Sequence, residues 1–545
     1  MPLETKRTPK LATVASALLL ALAFPPLELH VLVWFALVPW LHVVRSCATW
    51  YDAAVQGFWF NVVYGLATTF WIGIAVPQYL DVSFFVGAVA VVAHALVSQL
   101  QFVVFAPVFH RLTRNDGGVL NPLRVVLAAG FYVGLDWIVP NVYQDTIGLP
   151  LHAYAGLRQV VELGGLHLLG VLVLFANLAV FGLVSLALHS TGSDTKQRSK
   201  AGYSAAMVCI CIAAAWGWGT ARHEALTHEM EGAPRTIRAG LVQGAISIEQ
   251  KQQWMQGDSA AAHQALDVYV EQTTALLKSA NPPQLIVWPE TAYPGIFRRP
   301  ENEEQLRINV AFDRYLAAAN VPFVFGAYDR EERTDKRVLR NAIYMVEPSS
   351  DTQRNLSPPQ PSPMQVYHKY ILFPIGEYIP GLDDETARSV LPRGGSFSTG
   401  SGPKVFRMSL AGTPTTIGTA ICYEDVFPSH FNALALQGAE LLVNVSDDSW
   451  FGDFGEPRLH FIFAKLASVR TRLPQLRATN TGYSAAILPN GDVLELSTYG
   501  ESAGLVVDVP ILGPQQTYAA RYGEWGGALA LMFATLGILA VEVRS

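Results

Sequence analysis

Apolar and polar positions divide this chain into two unlike parts. Residues 53–80 and 82–109 contain no Asp, Glu, Lys or Arg, and each is longer than the about 20 apolar residues that a helix needs to cross a bilayer. The same pattern returns at 11–27, 29–44, 163–188, 203–221 and 525–541, and more weakly at 123–141, where Arg124 and Asp136 interrupt it. Eight membrane helices are therefore expected, seven of them before residue 222. The basic start (Lys6, Arg7, Lys10) followed by an apolar run also resembles a cleaved leader, but a second apolar stretch follows almost at once, so a helical pair bent at Pro25-Pro26 is the expectation.

From Thr236 the period changes. Short β-branched runs at Ile237–Val242, Gln284–Trp288, Pro322–Ala327, Ala342–Val346, Thr415–Cys422, Leu441–Val445, Ser484–Leu488 and Gly504–Val509 predict strands. Helical periodicity marks 259–280, 303–319 and 457–470. Alternating strands and helices argue for a layered α/β domain, with Ser349–Pro363, rich in Pro and Ser, as a surface excursion. The expected domains are 1–222 (seven membrane helices), 223–523 (the α/β domain) and 524–545 (a last membrane helix).

Composition agrees with this division. Apolar residues make up 51% and charged residues 15%, well below the roughly 25% charged of soluble domains, so much of the surface must face lipid. The formal charge of −6 is spread thinly, with no basic tract, and excludes nucleic acid as an expected partner. Loop charges orient the helices. With eight alternating spans, the N-terminus and the loops or tail holding Arg45, Arg111 and Arg114, Lys196, Arg198 and Lys200, and Arg544 all fall on one side, the cytoplasm. Residues 222–523 are then extracytoplasmic.

Three segments of the polar part combine a reactive side chain with a setting that packing alone does not require. Leu285–Ala292 (LIVWPETA) is an apolar strand delivering Glu290 at its C-terminal end, where open α/β sheets place their sites, although a lone Glu there also serves as a helix cap. Lys369 and Glu377 lie among aromatics, Pro and Gly in YHK and FPIGEYIP, a setting that a snorkelling lysine shares. Thr416–Asp425 (TIGTAICYED) ends a strand on Cys422. A small buried Cys is the commoner meaning of such a residue. Yet Cys422 has no cysteine partner between 222 and 523, the others being Cys47, Cys209 and Cys211, and an unpaired thiol outside the cytoplasm points to chemistry. A thiol nucleophile, a carboxylate base and a lysine cation suffice for acyl transfer.

WPETA at 288–292, YHK at 367–369, FPIGEYIP at 373–380 and ICYED at 421–425 together resemble the Glu–Lys–Cys signature of the nitrilase (carbon–nitrogen hydrolase) superfamily. With seven helices before the domain and one after, the chain is similar to its membrane-embedded branch, the apolipoprotein N-acyltransferases. The likeness covers nearly the whole chain and includes VELGG at 161–165, DSWFGD at 448–453 and RATNTG at 477–482. It implies an αββα sandwich and roles by position: Glu290 the general base, Lys369 the oxyanion cation, Cys422 the nucleophile. Glu377, Tyr423 and Glu424 would support the site, and Trp450 and Phe451 would gate the entering lipid.

It further implies a phospholipid acyl donor and a diacylated apolipoprotein acceptor, no cofactor and no metal. The enzyme would be a monomer in the bacterial inner membrane, its catalytic domain facing the periplasm. The alternative is a membrane-tethered amidase acting on a small amide. The chain departs from the branch at Ala245 within QGAISI, at Asp447 within SDDSW, at Asp136 within LDWI, and at Arg470 and Leu473. Two metal motifs are set aside: the acidic loop of Asp447, Asp448, Asp453 and Glu456 lacks calcium-loop spacing, and the thirteen His include no zinc-type pair.

Overall fold

The computed structural model describes residues 8–114, 119–189, 195–300, 302–333, 336–348, 362–382, 386 and 397–543. The excursion expected at 349–363 lies outside them except for its last two residues. The chain forms two compact units, one of Met1–Val76, Ser83–Glu224 and Tyr522–Ser545, the other of Pro77–Val82 and Ala225–Arg521.

The first unit is helical. Among the described residues, Phe84–Arg114, His167–Leu188 and Thr195–Glu231 are long and apolar enough to cross a membrane, and Trp50–Thr69 with Ile72–Leu80, bent by 53°, makes a fourth if the pair is one span. Leu11–Ala21, His30–Arg45 and Trp525–Ala540 are apolar but shorter. The stretch expected at 123–141 is a helix of 17 residues, Pro122–Ile138, carrying Arg124 and Asp136. Among the described residues, length and composition thus support three of the eight expected spans, or four if the bent pair is one. The two N-terminal helices fall short because the chain turns after Ala21 and restarts as a 3-10 turn at His30–Trp34.

Polar side chains sustain the irregular points. The helix broken between Val97 and Gln101 frees backbone groups, and Asn61 takes them up: its Oδ1 accepts from Gln99 N–H at 2.8 Å and its Nδ2 donates to Ala95 O at 2.9 Å. Such repair is required where water is absent. The C-terminal helix packs against Pro122–Ile138 so closely that a Cβ on Gly134 would lie 2.6 Å from Leu531 Cα, the small-residue packing typical of helices in lipid.

Among the described residues, the second unit contains twelve strands: β1 Arg235–Gln243, β2 Leu285–Val287, β3 Phe323–Arg333, β4 Lys336–Val346, β5 Met364–His368, β6 Val405–Leu410, β7 Thr413–Ile421, β8 Leu441–Ser446, β9 Gln475–Thr479, β10 Ala485–Ile487, β11 Val493–Leu496 and β12 Ala503–Ile511. They form two six-stranded sheets, ordered β12-β1-β2-β3-β4-β5 and β11-β10-β9-β8-β7-β6. All eight predicted strands occur. The additional ones are β5, β6, β9 and β11. Helices Ser259–Leu277 and Glu303–Ala319 pack on the first sheet through Leu266, Tyr269, Phe312 and Leu316 against Ile286, Trp288 and Phe325. On the second, Pro428–Leu436 and Glu456–Thr471 bring Phe431, Leu434 and Ala467 against Ala420 and Leu442. The order of layers is helix, sheet, sheet, helix, the nitrilase-like sandwich.

At the centre of each sheet three strands run parallel, β1-β2-β3 and β7-β8-β9. Their C-terminal ends deliver Ala245, Glu290, Cys422, Asp447 and Asn480, as the crevice rule for open parallel sheets requires. Gly326 in β3 shows how tight this delivery is, since a Cβ there would stand 2.5 Å from Glu290 Cα and 2.6 Å from Pro289 O. Both are backbone atoms, so the turn carrying Glu290 would have to move. Gly326→Ala is therefore expected to lower the rate of the reaction at Cys422 by about 10²-fold, the usual cost of misplacing a reacting group by an ångström, with the far-ultraviolet circular dichroism of the wild type retained. A variant at wild-type rate would show that this approach does not position Glu290.

Candidate active site

Cys422 follows β7 directly and opens a 3-10 turn, Cys422–Val426. Its φ of 49° places a non-glycine residue in the left-handed region, a strained conformation that concentrates where a side chain must be presented. Glu290 follows β2, and the next residue, Thr291, is also left-handed at φ 50°. Lys369 follows β5 and is tied at both ends of its backbone: its N–H donates to Asn341 O at 2.9 Å and its carbonyl accepts from Gly400 N–H at 2.7 Å.

The charged groups converge in a buried cluster. Lys369 Nζ lies 2.8 Å from Glu377 Oε2 and 3.4 Å from Glu290 Oε1. Asn341 Nδ2 donates to both carboxylates, at 2.6 Å to Glu290 and 3.0 Å to Glu377. The second oxygen of Glu290 accepts from Asp447 N–H at 2.9 Å, and that of Glu377 from Phe373 N–H at 2.8 Å. Asp447 is itself paired with buried Lys251, which also donates to Thr291 Oγ1 at 3.2 Å. Asn480 Nδ2 donates to the other oxygen of Asp447 at 3.0 Å. The strand ends of both sheets are thus joined by charge-assisted bonds, among the strongest that side chains make.

Burial and neighbours set the protonation states. Burial pushes Glu290 above the ordinary carboxylate range; Lys369 opposes this, and Glu377 and Asp447 add to it. Burial would strip the proton from Lys369, but Glu377 and Glu290 hold it as an ammonium well above its ordinary value. The Cys422 thiol is pushed well up, first by burial and then by Glu290, with Lys369 working against both. At rest the site therefore holds a neutral thiol, a fixed cation and a carboxylate of raised basicity. That is the inventory of a base-activated nucleophile with an oxyanion partner.

The other predicted residues have distinct places. Glu424 is fully buried: its Oε1 accepts from Tyr367 Oη at 2.7 Å and from Tyr370 N–H at 2.6 Å, and its Oε2 from Ile421 N–H at 2.7 Å. It pins the Lys369 loop to the Cys422 turn. The Tyr423 ring packs edge-on to Phe373 and Phe427 at 5.1 and 5.0 Å. Phe451 is buried with its ring 5.9 Å from Phe373, while half-buried Trp450 meets Tyr79 at 4.7 Å. Tyr79 Oη in turn donates to Gly376 O at 2.9 Å.

Sequence reasoning missed Lys251, Asn341 and Arg477. Arg477 donates to Asp425 at 2.5 Å and to Asp448 at 3.2 Å beneath the Cys422 turn. Three of the acidic-loop carboxylates are thus paired, Asp447 with Lys251, Asp448 with Arg477 and Glu456 with His460 at 2.9 Å.

Comparison with known proteins places this arrangement. Residues 238–512 match the family described as "Carbon-nitrogen hydrolase". The chain belongs to the carbon–nitrogen hydrolase family. Its residues 16–179 match the "Apolipoprotein N-acyltransferase N-terminal domain", so it carries the membrane branch's own N-terminal part. An apolipoprotein N-acyltransferase of Gloeobacter violaceus is 27% identical over 542 residues, 97% of this chain and 93% of the relative. One of Bdellovibrio bacteriovorus is 31% identical over 288 residues; the match spans half of that relative's length and 51% of this chain. Among solved structures, a cysteine-to-serine mutant of a nitrilase-superfamily amidase from Nesterenkonia is 17% identical with a TM-score of 0.36, covering 54% of this chain and 98% of the amidase.

His460 provides a test of the charge network. Burial disfavours its proton, but Asp425, Glu456 and Asp448 prevail and raise its pKa to about 9, against the ~6.5 of a free histidine. A folded value above the unfolded one means that the stabilisation is complete below about pH 6.5 and disappears as pH rises to about 9. The melting temperature of the wild type should therefore fall across this window and that of His460→Gln should fall less. Parallel curves would mean that His460 is not held as a cation.

Proposed function

We propose that the chain transfers an acyl group from a membrane phospholipid to the N-terminal amine of the diacylglyceryl-cysteine of apolipoproteins, through a thioester on Cys422. The observation that carries this reading is the buried Glu290–Lys369–Cys422 constellation in a chain that also bears the branch's apolar N-terminal part. Two acylated substrates need a membrane-embedded enzyme. A small amide does not, which disfavours the amidase alternative.

The geometry supports a two-stage scheme. Glu290 takes the Cys422 thiol proton as sulfur attacks the ester carbonyl of the donor, and the tetrahedral oxyanion forms beside the Lys369 ammonium. Its collapse breaks the acyl C–O bond, and Glu290 returns the proton to the departing glyceryl oxygen, releasing a lysophospholipid. In the second stage the α-amine attacks the thioester carbon and yields its proton to Glu290. The C–S bond then breaks, and the sulfur leaves as a thiol on recovering that proton. Protons and charges balance over the cycle. Glu377 holds Lys369 in place, Tyr423 and Glu424 fix the turn that carries the nucleophile, and Trp450 and Phe451 form an aromatic gate for the acyl chain.

The membrane frame belongs to the same reading. Eight spans, with the shorter apolar helices crossing alongside the long ones, put the basic loops in the cytoplasm and residues 223–523 in the periplasm of a bacterial inner membrane, the enzyme acting as a monomer without a cofactor. A reporter active only outside the cytoplasm is expected to work when fused near Arg330 and to fail near Lys196. Activity at Lys196 would overturn this orientation.

Incubated with phospholipid alone, the purified enzyme should gain one acyl mass, removable by neutral hydroxylamine, and release a lysophospholipid. Cys422→Ala should do neither. Glu290→Gln should slow acylation about 10²-fold, and Lys369→Met by roughly 10²–10³. Transfer that requires both substrates at once, with Cys422 unmodified by donor alone, would replace the scheme with direct displacement.

A further inference from the structure

Apart from the site already described, one cluster of metal-ligating side chains stands out, and it lies in the first unit. Glu28, His30 and His152 each direct one ligand atom to a common region, all within 4.8 Å of one another. Glu28 and His30 are two residues apart, at the start of the 3-10 turn His30–Trp34, but no short sequence spacing joins them to His152, which lies in the 3-10 turn Leu149–Ala153. The sequence reading found no zinc-type pair among the histidines because folding alone brings these two together.

We propose that Glu28, His30 and His152 bind one divalent transition-metal ion of the Zn²⁺ class, clamping the turn at residue 28 to the segment Leu149–Ala153. The separations fit such an ion. Bonds of about 2.0–2.2 Å in a tetrahedron place neighbouring ligand atoms roughly 3.3–3.6 Å apart. Glu28 Oε2 lies 3.4 Å from His30 Nε2 and 3.9 Å from His152 Nε2. Small rotations of the side chains close the remaining gap.

The His30–Glu28 approach is longer than the about 2.7–3.2 Å of an N–H···O bond, and among the described residues His30 Nε2 has no hydrogen-bond partner. It faces the carboxylate without bonding to it, as two ligands of one ion do. The imidazole rings meet edge-on, 5.2 Å between centroids at 79°, so that their nitrogens converge while the rings do not collide. Two imidazoles and one carboxylate form a donor set suited to Zn²⁺, Co²⁺ or Ni²⁺, and a poor one for Ca²⁺ or Mg²⁺.

Exposure is graded across the cluster: the His152 side chain is 4% exposed, Glu28 16% and His30 20%. One side is thus walled by protein and the other is open to water, which would complete the fourth coordination position. Glu28 itself has a left-handed backbone, φ 49°, which turns its carboxylate toward the two histidines at a conformational cost that a bound ion would offset.

The test uses the full-length chain in lipid nanodiscs, carrying an affinity tag without histidines, stripped with EDTA and then titrated with ZnCl₂ or CoCl₂. After desalting, elemental analysis should find one Zn²⁺ per chain, and Co²⁺ should give the intense visible absorption of four-coordinate nitrogen–oxygen ligation. His152→Ala and the milder His30→Gln should each weaken Zn²⁺ binding by at least the 10–100-fold that loss of even a supporting residue costs, by a general estimate of roughly that range. Wild-type protein that retains no Zn²⁺ would overturn the proposal without recourse to a variant. So would binding of equal affinity in His30→Gln, whose partly exposed side chain makes it the substitution that the fold tolerates best.

Discussion

One ammonium group, Nζ of Lys369, holds the catalytic sandwich together at its centre. It is buried with two carboxylates, and taking any one of these charges out of water alone costs several kcal/mol. The cluster exists because every member is bonded from more than one side: Asn341 donates to both carboxylates, the backbone of Asp447 and of Phe373 each adds a bond, and Lys251 balances Asp447. These partners come from the strands and strand ends of both sheets, from the helix Ile248–Met255 and from the loop after β5. The position of Glu290 relative to Cys422 is thus a property of the whole sandwich. Removal of any single partner leaves a buried charge unsatisfied, which is why such clusters tolerate substitution poorly.

Much of this was legible in the sequence, and the part that was not has identifiable causes. Most of the predicted strands carry β-branched runs buried on both faces, such as Leu441–Ser446, in which every residue is buried, whereas β12 is half-buried and was marked by its valines. β9, Gln475–Thr479, is equally buried, but its alternation is hidden by Gln475, Arg477 and Thr479, whose polar ends are satisfied only by partners distant in the chain. β5 is a half-buried edge strand of five residues, too short and too mixed to show a period. In the first unit, absence of charge marked where apolar helices lie but not their breaks. The interruption at 98–100 is stabilised by Asn61 on another helix, and nothing local announces it.

The site follows the same logic. Glu290, Lys369 and Cys422 stand out because each follows a strand, and Glu377 because it lies among aromatics, Pro and Gly in FPIGEYIP. Lys251 and Asn341 were not, because a Lys in a polar helix and an Asn in a strand carry no signal until the fold sets them against Asp447 and Glu290. Glu424 was legible by position, but the four groups around it show that it acts as a pin between two loops. The histidine cluster of the first unit is the extreme case: Glu28 and His30 are near neighbours but His152 is far along the chain, and each alone looks like an ordinary polar residue at a turn.

The resting state of Cys422 has a consequence for survival of the protein as well as for its chemistry. Peroxides and small disulfides attack thiolates, not thiols, and Cys422 has no second cysteine between residues 223 and 523 to shelter it as a disulfide. Burial and the adjacent Glu290 keep its proton on the sulfur. In the proposed scheme the same carboxylate that removes this proton when an ester carbonyl is in place suppresses ionisation when none is. Reactivity is thereby tied to occupancy in that scheme, and a lone sulfur can persist without a dedicated reductant.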